Sequence, residues 1–325
     1  MNILITGGAG YVGSACLRYL HERGHHVVAF DNLIQGHRSA VGDSTLIEGD
    51  IADTQKVVQT LRDMHADAVM HFAAATYVRE SVEDPEYHYR NNIYGTMSLL
   101  NAMREAGVKR ILFSSTCATY GDNPECPMTE EILQNPCSPY ARTKLSVEWM
   151  IQDFSHAYGL GYALLRYFNA AGASRNGNFG EAHHPENHLI PLVLQIPLGQ
   201  REKLEVYGND YSTPDGTCIR DYIHVDDLAS AHLLAIQATE PGSQNIFNVG
   251  TGTGNSVMEI IKVCEAVTDQ TIPYEVVARR PGDAPALVAE PTKLRKELGW
   301  NPIYTDIKET IASAWRWHKN HPDGY

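Results

Sequence analysis

The strongest constraint on this chain is a glycine-rich turn set directly behind a short apolar run. Ile3-Leu4-Ile5 reads as a buried strand, and Thr6-Gly7-Gly8-Ala9-Gly10-Tyr11-Val12-Gly13 follows at once. A helical pattern then runs over 11–23 and stops at Gly24. Glycines at 7, 10 and 13 permit a tight turn, close approach of backbone to a pyrophosphate, and close helix–strand packing. The helix start faces the phosphates with free N–H groups and its positive dipole end. The spacing is G-x-x-G-x-x-G rather than G-x-G-x-x-G, and alone it would be a plain glycine turn. The strand before and helix after give it its meaning. A dinucleotide is therefore expected against Gly7, Gly10, Tyr11, Val12 and Gly13.

Further strand patterns lie at 26–30, 44–48, 68–72 and 110–114, with a long helix over 89–106 before the last. Short strands alternating with helices predict an α/β fold, a doubly wound parallel sheet of Rossmann type. The second half is less regular, with long polar loops at 171–187 and 208–217. The expected organisation is an NAD-binding domain over 1–170. A smaller α/β substrate-binding lobe follows over 171–325, with some segments crossing back.

Asp31 ends the second strand pattern. A carboxylate there accepts from the ribose hydroxyls of adenosine and repels a 2′-phosphate, which selects NAD over NADP. Asp50 and Ile51, after the third strand, are placed to meet adenine. Phe72, Ala73 and Ala74, after the fourth, keep small residues where the backbone passes the cofactor.

Ser138-Pro139-Tyr140-Ala141-Arg142-Thr143-Lys144 opens another helix. Tyr140 and Lys144 are one turn apart and share a face. A free tyrosine, with a pKa of about 10, is a poor base. A nearby ammonium and a positive nicotinamide ring both favour its phenolate. Tyr140 is the candidate acid/base and Lys144 its support, with a hydroxyl from Ser114-Ser115-Thr116 bridging substrate and phenolate. The pair alone is nonspecific; its order after the strand hydroxyls and the phosphate turn is what counts.

The net charge of −13 argues against a nucleic-acid partner. The six cysteines form no C-x-x-C pair and read as reduced packing thiols. No signal peptide or bilayer-spanning apolar run is visible, so a cytoplasmic protein without membrane contact is expected. No metal site is expected.

The chain resembles the extended short-chain dehydrogenase/reductase family almost end to end. The resemblance rests on the glycine turn, Asp31-Asn32-Leu33, Glu48-Gly49-Asp50-Ile51, His71-Phe72-Ala73-Ala74, Asn91-Asn92, Tyr140 to Lys144 and Leu165-Arg166-Tyr167-Phe168-Asn169. It continues through Asp215-Gly216-Thr217-Cys218-Ile219-Arg220-Asp221, Arg279-Arg280-Pro281-Gly282-Asp283 and Trp315-Arg316-Trp317-His318. It implies tightly bound NAD and the interconversion of UDP-glucose and UDP-galactose through a 4-keto sugar. It implies Thr116 as the hydroxyl relay, and Asn32, Asn91, Lys144 and Phe168 beside the cofactor. Asn169, Tyr207, Arg220, Arg280 and Asp283 join Thr116 and Tyr140 around a UDP-hexose, the arginines on its diphosphate. It also implies a homodimer, paired through helices near 89–106 and 138–158. Some relatives carry a larger Tyr where this chain has Leu287, which leaves room for a 2-acetamido group.

Three rivals are weaker. A 4,6-dehydratase needs an acid after Thr116, where Cys117 and Ala118 stand. An NADPH reductase would not carry Asp31. A non-catalytic NAD-binding regulator would often lose Tyr140 or Lys144.

Overall fold

The computed structural model describes residues 1–123, 125–280 and 283–325. Pro281 and Gly282 of the Arg279-to-Asp283 motif lie outside the described residues.

Six strands, Asn2–Thr6 (β1), His26–Asp31 (β2), Thr45–Glu48 (β3), Ala68–His71 (β4), Arg110–Thr116 (β5) and Gly161–Tyr167 (β6), join Gln244–Val249 in one sheet. Its order is Gln244–Val249, β6, β5, β4, β1, β2, β3, and every pairing is parallel. The order runs outward both ways from β1, so the β1–β4 boundary is the switch point at which such sheets bind ligands. Thr6, Asp31, Glu48, His71 and Thr116 all finish at that one edge.

Both faces of the sheet are covered. Ile3 and Ile5 pack into one apolar cluster with Leu17, Leu20, Leu228 and Phe247. Leu4 points the other way, into a cluster with Val57, Leu61, Leu99, Phe113 and Ile151. This alternation explains the unbroken apolar strand sequences, because successive side chains enter opposite cores. Each fully buried Leu or Ile contributes about 1.5–3 kcal/mol.

A second sheet is built on Ile219–His224. That strand pairs with Gly254–Ser256 antiparallel and with Ala286–Leu287 and Asn169–Ala171 in parallel. Leu204–Tyr207 and Tyr274–Val277 form a separate parallel pair. The helices Leu189–Leu194, Val257–Thr268 and Ile307–Asn320 supply its core through Ile190, Val193, Ile260, Ile261 and Ile311.

The helix expected over 89–106 is not uniform. A π-helical turn occupies Tyr89–Tyr94, and α-helix covers only Gly95–Ala106. The wide turn sits where Asn92 carries its side chain inward to Ala75 and Thr143. Such widened turns are frequent at functional sites. No helix among the described residues is long and apolar enough to cross a membrane.

Candidate active site

At the carboxyl edge of β1 the chain turns with Gly7 at φ +71°, a conformation that costs glycine little. A Cβ on Gly7 would come within 2.5 Å of the Ala73 nitrogen, and one on Gly13 within 2.1 Å of the Gly7 carbonyl oxygen. Gly10 differs: its Cβ would meet only that same oxygen, at 3.4 Å, so the outer side of the turn is open. The helix Tyr11–His21 starts at Gly10 with no capping side chain and no acid in its first turn. Its free donors suit a pyrophosphate. Val12 packs inward on the core.

Asp31 is buried at the end of β2. Its Oδ2 accepts from Ala9 N–H (3.0 Å) and its Oδ1 from Leu33 N–H (2.8 Å). Burial pushes its carboxyl pKa up, and the two N–H groups oppose that. Each oxygen keeps a lone pair for a ribose hydroxyl. Asn32 accepts from Ile34 N–H (3.2 Å), and the exposed Asp50 accepts from Ala52 N–H (2.8 Å). Ile51 is buried in the cluster that includes Val28 and Phe30 of β2. The backbone donors, open glycine face and paired acid fit a dinucleotide with unphosphorylated ribose hydroxyls. Phe72 offers backbone rather than ring: its side chain is buried against His232, while Phe72 and Ala73 N–H groups both donate to the Thr6 carbonyl. The Tyr11 hydroxyl is also committed, donating to the Gly172 carbonyl at 2.7 Å.

The helix Pro139–Tyr158 begins with Ser138 accepting from Ala141 N–H (3.2 Å) and Pro139 in its first turn, a strong start signal. Lys144 is buried and donates to the Ser114 carbonyl at 2.8 Å, with Nζ 6.0 Å from the centre of the Tyr140 ring. Burial pulls the Lys144 pKa down to about 7, against a smaller upward pull from Glu148. Burial also pushes the Tyr140 phenol well above its ordinary value, and a hydrogen bond with Thr116 works the other way. Thr116 closes β5 and its Oγ1 accepts from Ala118 N–H at 3.2 Å. The three residues therefore meet at one end of β5, with protein burial disfavouring charge on Tyr140 and on Lys144.

Phe168, Cys117 and Tyr120 share an apolar cluster on which Leu287 packs. Leu287 is the register partner of Arg220, which brings the second sheet up to the end of β5. Arg220 donates to the Ile219 and Ala284 carbonyls (both 2.9 Å) and lies 3.5 Å from Asp283. Asn169 donates to the Asp221 carbonyl at 3.1 Å. Arg280 is exposed, with its guanidinium 4.3 Å from the centre of the Tyr207 ring. The Tyr207 hydroxyl donates to Glu205 at 2.8 Å.

The family described as NAD dependent epimerase/dehydratase matches residues 3–250. The chain belongs to this family. It is 50% identical over 327 aligned positions to a UDP-glucose 4-epimerase of Halalkalibacterium halodurans, covering all of this chain and 98% of the relative. A solved UDP-glucose 4-epimerase superposes with a TM-score of 0.96 at 46% identity, over 100% of this chain and 99% of that one. The Brucella ovis UDP-glucose 4-epimerase in complex with NAD gives 0.94 at 47% identity, over 97% and 98%.

In this epimerase/dehydratase chain, several residues that hold the site together went unassigned in the sequence. Asn92, rather than Asn91 alone, is the clamp: it joins both polar groups of Ala75 to Thr143 in the second turn of the helix Pro139–Tyr158. Asn91 donates to it at 3.1 Å. Glu148, one turn beyond Lys144, is fully buried and pairs with Arg166 at 2.6 Å, and accepts from Ser115 and Gln134. Their only sequence signal was an acid and a base inside apolar elements.

Proposed function

We propose that the chain interconverts UDP-glucose and UDP-galactose by inverting C4 of the hexose, with tightly held NAD. The meeting of Thr116, Tyr140 and Lys144 beside a phosphate-binding turn carries this reading. The family and the near-complete likeness to UDP-glucose 4-epimerases support it. Gly7, Gly10, Tyr11, Val12 and Gly13 hold the pyrophosphate through backbone. Asp31 and Asn32 hold the adenosine ribose, and Asp50 and Ile51 border adenine. Ala73, Ala74, Asn91, Lys144 and Phe168 border the nicotinamide half.

NAD, when bound, supplies the acceptor that takes and returns the C4 hydrogen, and its positive ring favours ionisation of Tyr140. Tyr140 removes the C4 hydroxyl proton, Thr116 bridges the phenol to that oxygen, and Lys144 adds positive charge as the phenolate forms. Arg220 and Arg280 hold the diphosphate as planar forks. Asp283 and Tyr207 hold the uridine, while Asn169 touches the sugar side. The hexose turns over between these anchors, and Tyr140 then returns the proton to the opposite hydroxyl geometry. Binding energy concentrated on UDP retains the keto sugar while leaving the ring free to turn.

The test is incubation of purified protein with UDP-galactose and no added NAD. UDP-glucose should form to equilibrium without net NADH. Absence of UDP-glucose, or a dehydrated sugar product, overturns the proposal. The alternative, in which UDP-GlcNAc and UDP-GalNAc are also interconverted, rests on Leu287 alone, half-buried over the Cys117–Phe168 cluster. An assay of UDP-GlcNAc without turnover removes that pair.

The working form is a cytoplasmic homodimer. Tyr89, Tyr94 and Met97 on one helical stretch and Trp149 on the catalytic helix are all exposed apolar groups, as a helix-paired interface would require.

A further inference from the structure

The loop that leads into the helix Leu189–Leu194 carries Glu181, His183, Glu186 and His188, an E-x-H-x-x-E-x-H pattern that the catalytic reading does not use. One ligand atom from each of the four lies within 4.8 Å of all the others. His183 Nδ1 is 3.2 Å from Glu181 and 3.6 Å from Glu186. His188 Nδ1 is 2.9 Å from Glu181 and 3.1 Å from Glu186. Ligand bonds of about 2.0–2.1 Å to one tetrahedral ion place neighbouring donors about 3.3–3.4 Å apart, in the middle of that range.

Both carboxylates are nearly inaccessible, with side-chain exposures of 5% and 7%. Burying two acids side by side is costly unless a cation compensates them. Among the described residues their ion-pair partners are these two imidazoles, with no Lys or Arg. Protonated imidazoles are one possible compensation. His183 Nδ1 speaks against it: it is buried beside both acids yet makes no hydrogen bond, as befits a lone pair aimed at an ion.

We propose that Glu181, His183, Glu186 and His188 bind one divalent ion of the zinc class. Two imidazoles and two carboxylates on a tight four-point frame suit zinc, whereas calcium and magnesium require six or more oxygens. The expectation of no metal is set aside on this point. The ion's role is structural. The His183 ring stands edge-on to Tyr11 of the phosphate turn (6.3 Å) and Tyr77 (6.4 Å). His37 and Trp317 hold the backbone of this loop, donating to the Ala182 and Glu181 carbonyls at 3.0 Å each. An ion here fastens the 181–188 loop against the side of the dinucleotide cradle.

The test uses the full chain, purified without a metal-affinity tag, and needs no epimerase activity. Elemental analysis should give about one zinc per chain. After removal by a chelator, one equivalent of zinc should restore the Tm by about 5–10 °C. Cobalt in its place should show the intense visible bands of a four-coordinate site. The His188→Ala and Glu181→Gln variants should lose the zinc and the cobalt bands. The proposal is overturned by substoichiometric metal with no Tm response of the stripped chain to zinc. Binding only at millimolar metal (an adventitious ion only) overturns it too, as does full zinc retention in both variants. A variant that does not fold leaves the cobalt spectrum of the unaltered chain as the deciding measurement.

Discussion

The two sides of the candidate site hold their functional groups by opposite means. On the Rossmann side Lys144 is buried and bonded to the Ser114 carbonyl, and the helix beneath it is fixed by Glu148, Arg166 and Asn92. On the other side Arg280 is exposed and rests on Tyr207, itself only half-buried. Arg220 lies between the extremes, tied to two carbonyls and Asp283. Proton transfer demands fixed distances, while gripping a flexible diphosphate tolerates mobile arginines. On the proposed function, this contrast predicts that Tyr140 and Lys144 govern rate and that Arg220 and Arg280 govern affinity.

The sharpest way to break this contrast is Tyr140→Phe. Loss of the acid/base should lower kcat about 100–10,000-fold with little change in KM for UDP-galactose. An unchanged kcat in steady-state assays would remove Tyr140 from the chemistry. Next in size is Arg166→Met, which leaves the buried Glu148 charge without its partner. About 3–5 kcal/mol of stability should go, read by urea unfolding; a loss under 1 kcal/mol would mean the rigid side does not depend on this pair. Arg280→Ala should be milder, raising KM about tenfold while kcat holds. Equal losses in both would place Arg280 with the rate-setting group.

A further test of the buried side concerns pH. Burial holds Lys144 near 7 in the folded chain, below the ordinary lysine value of about 10.4. Unfolding therefore takes up a proton between those values, and stability rises with pH across that window. In Lys144→Met this contribution vanishes, so the wild type should gain Tm relative to the variant between pH 7 and 9. Parallel melting profiles would contradict the burial cost.

Local signals were legible in the sequence. The glycine turn named its own strand and helix, Asp31 marked the end of β2, and the one-turn spacing of Tyr140 and Lys144 needed only helix geometry. Ser138-Pro139 announced the catalytic helix. What stayed hidden depends on pairing between distant segments. Nothing near Glu148 says that its partner is Arg166 on β6, and nothing near Asn92 says that it bonds to Ala75 and Thr143. The π turn at Tyr89–Tyr94 has the composition of a helix and differs only through that clamp. The 171–187 stretch reads as a polar loop because the convergence of its Glu181, His183 and Glu186 with the adjoining His188 is a matter of folding, not composition.

The hydroxyl of Tyr11 gives the cradle a kinetic property. It reaches the Gly172 carbonyl in the other lobe while its ring stacks on Phe179 at 5.9 Å. The first turn of the cradle helix is thereby tied to the 172–179 stretch, so local opening of that stretch and loosening of the glycine turn are coupled events.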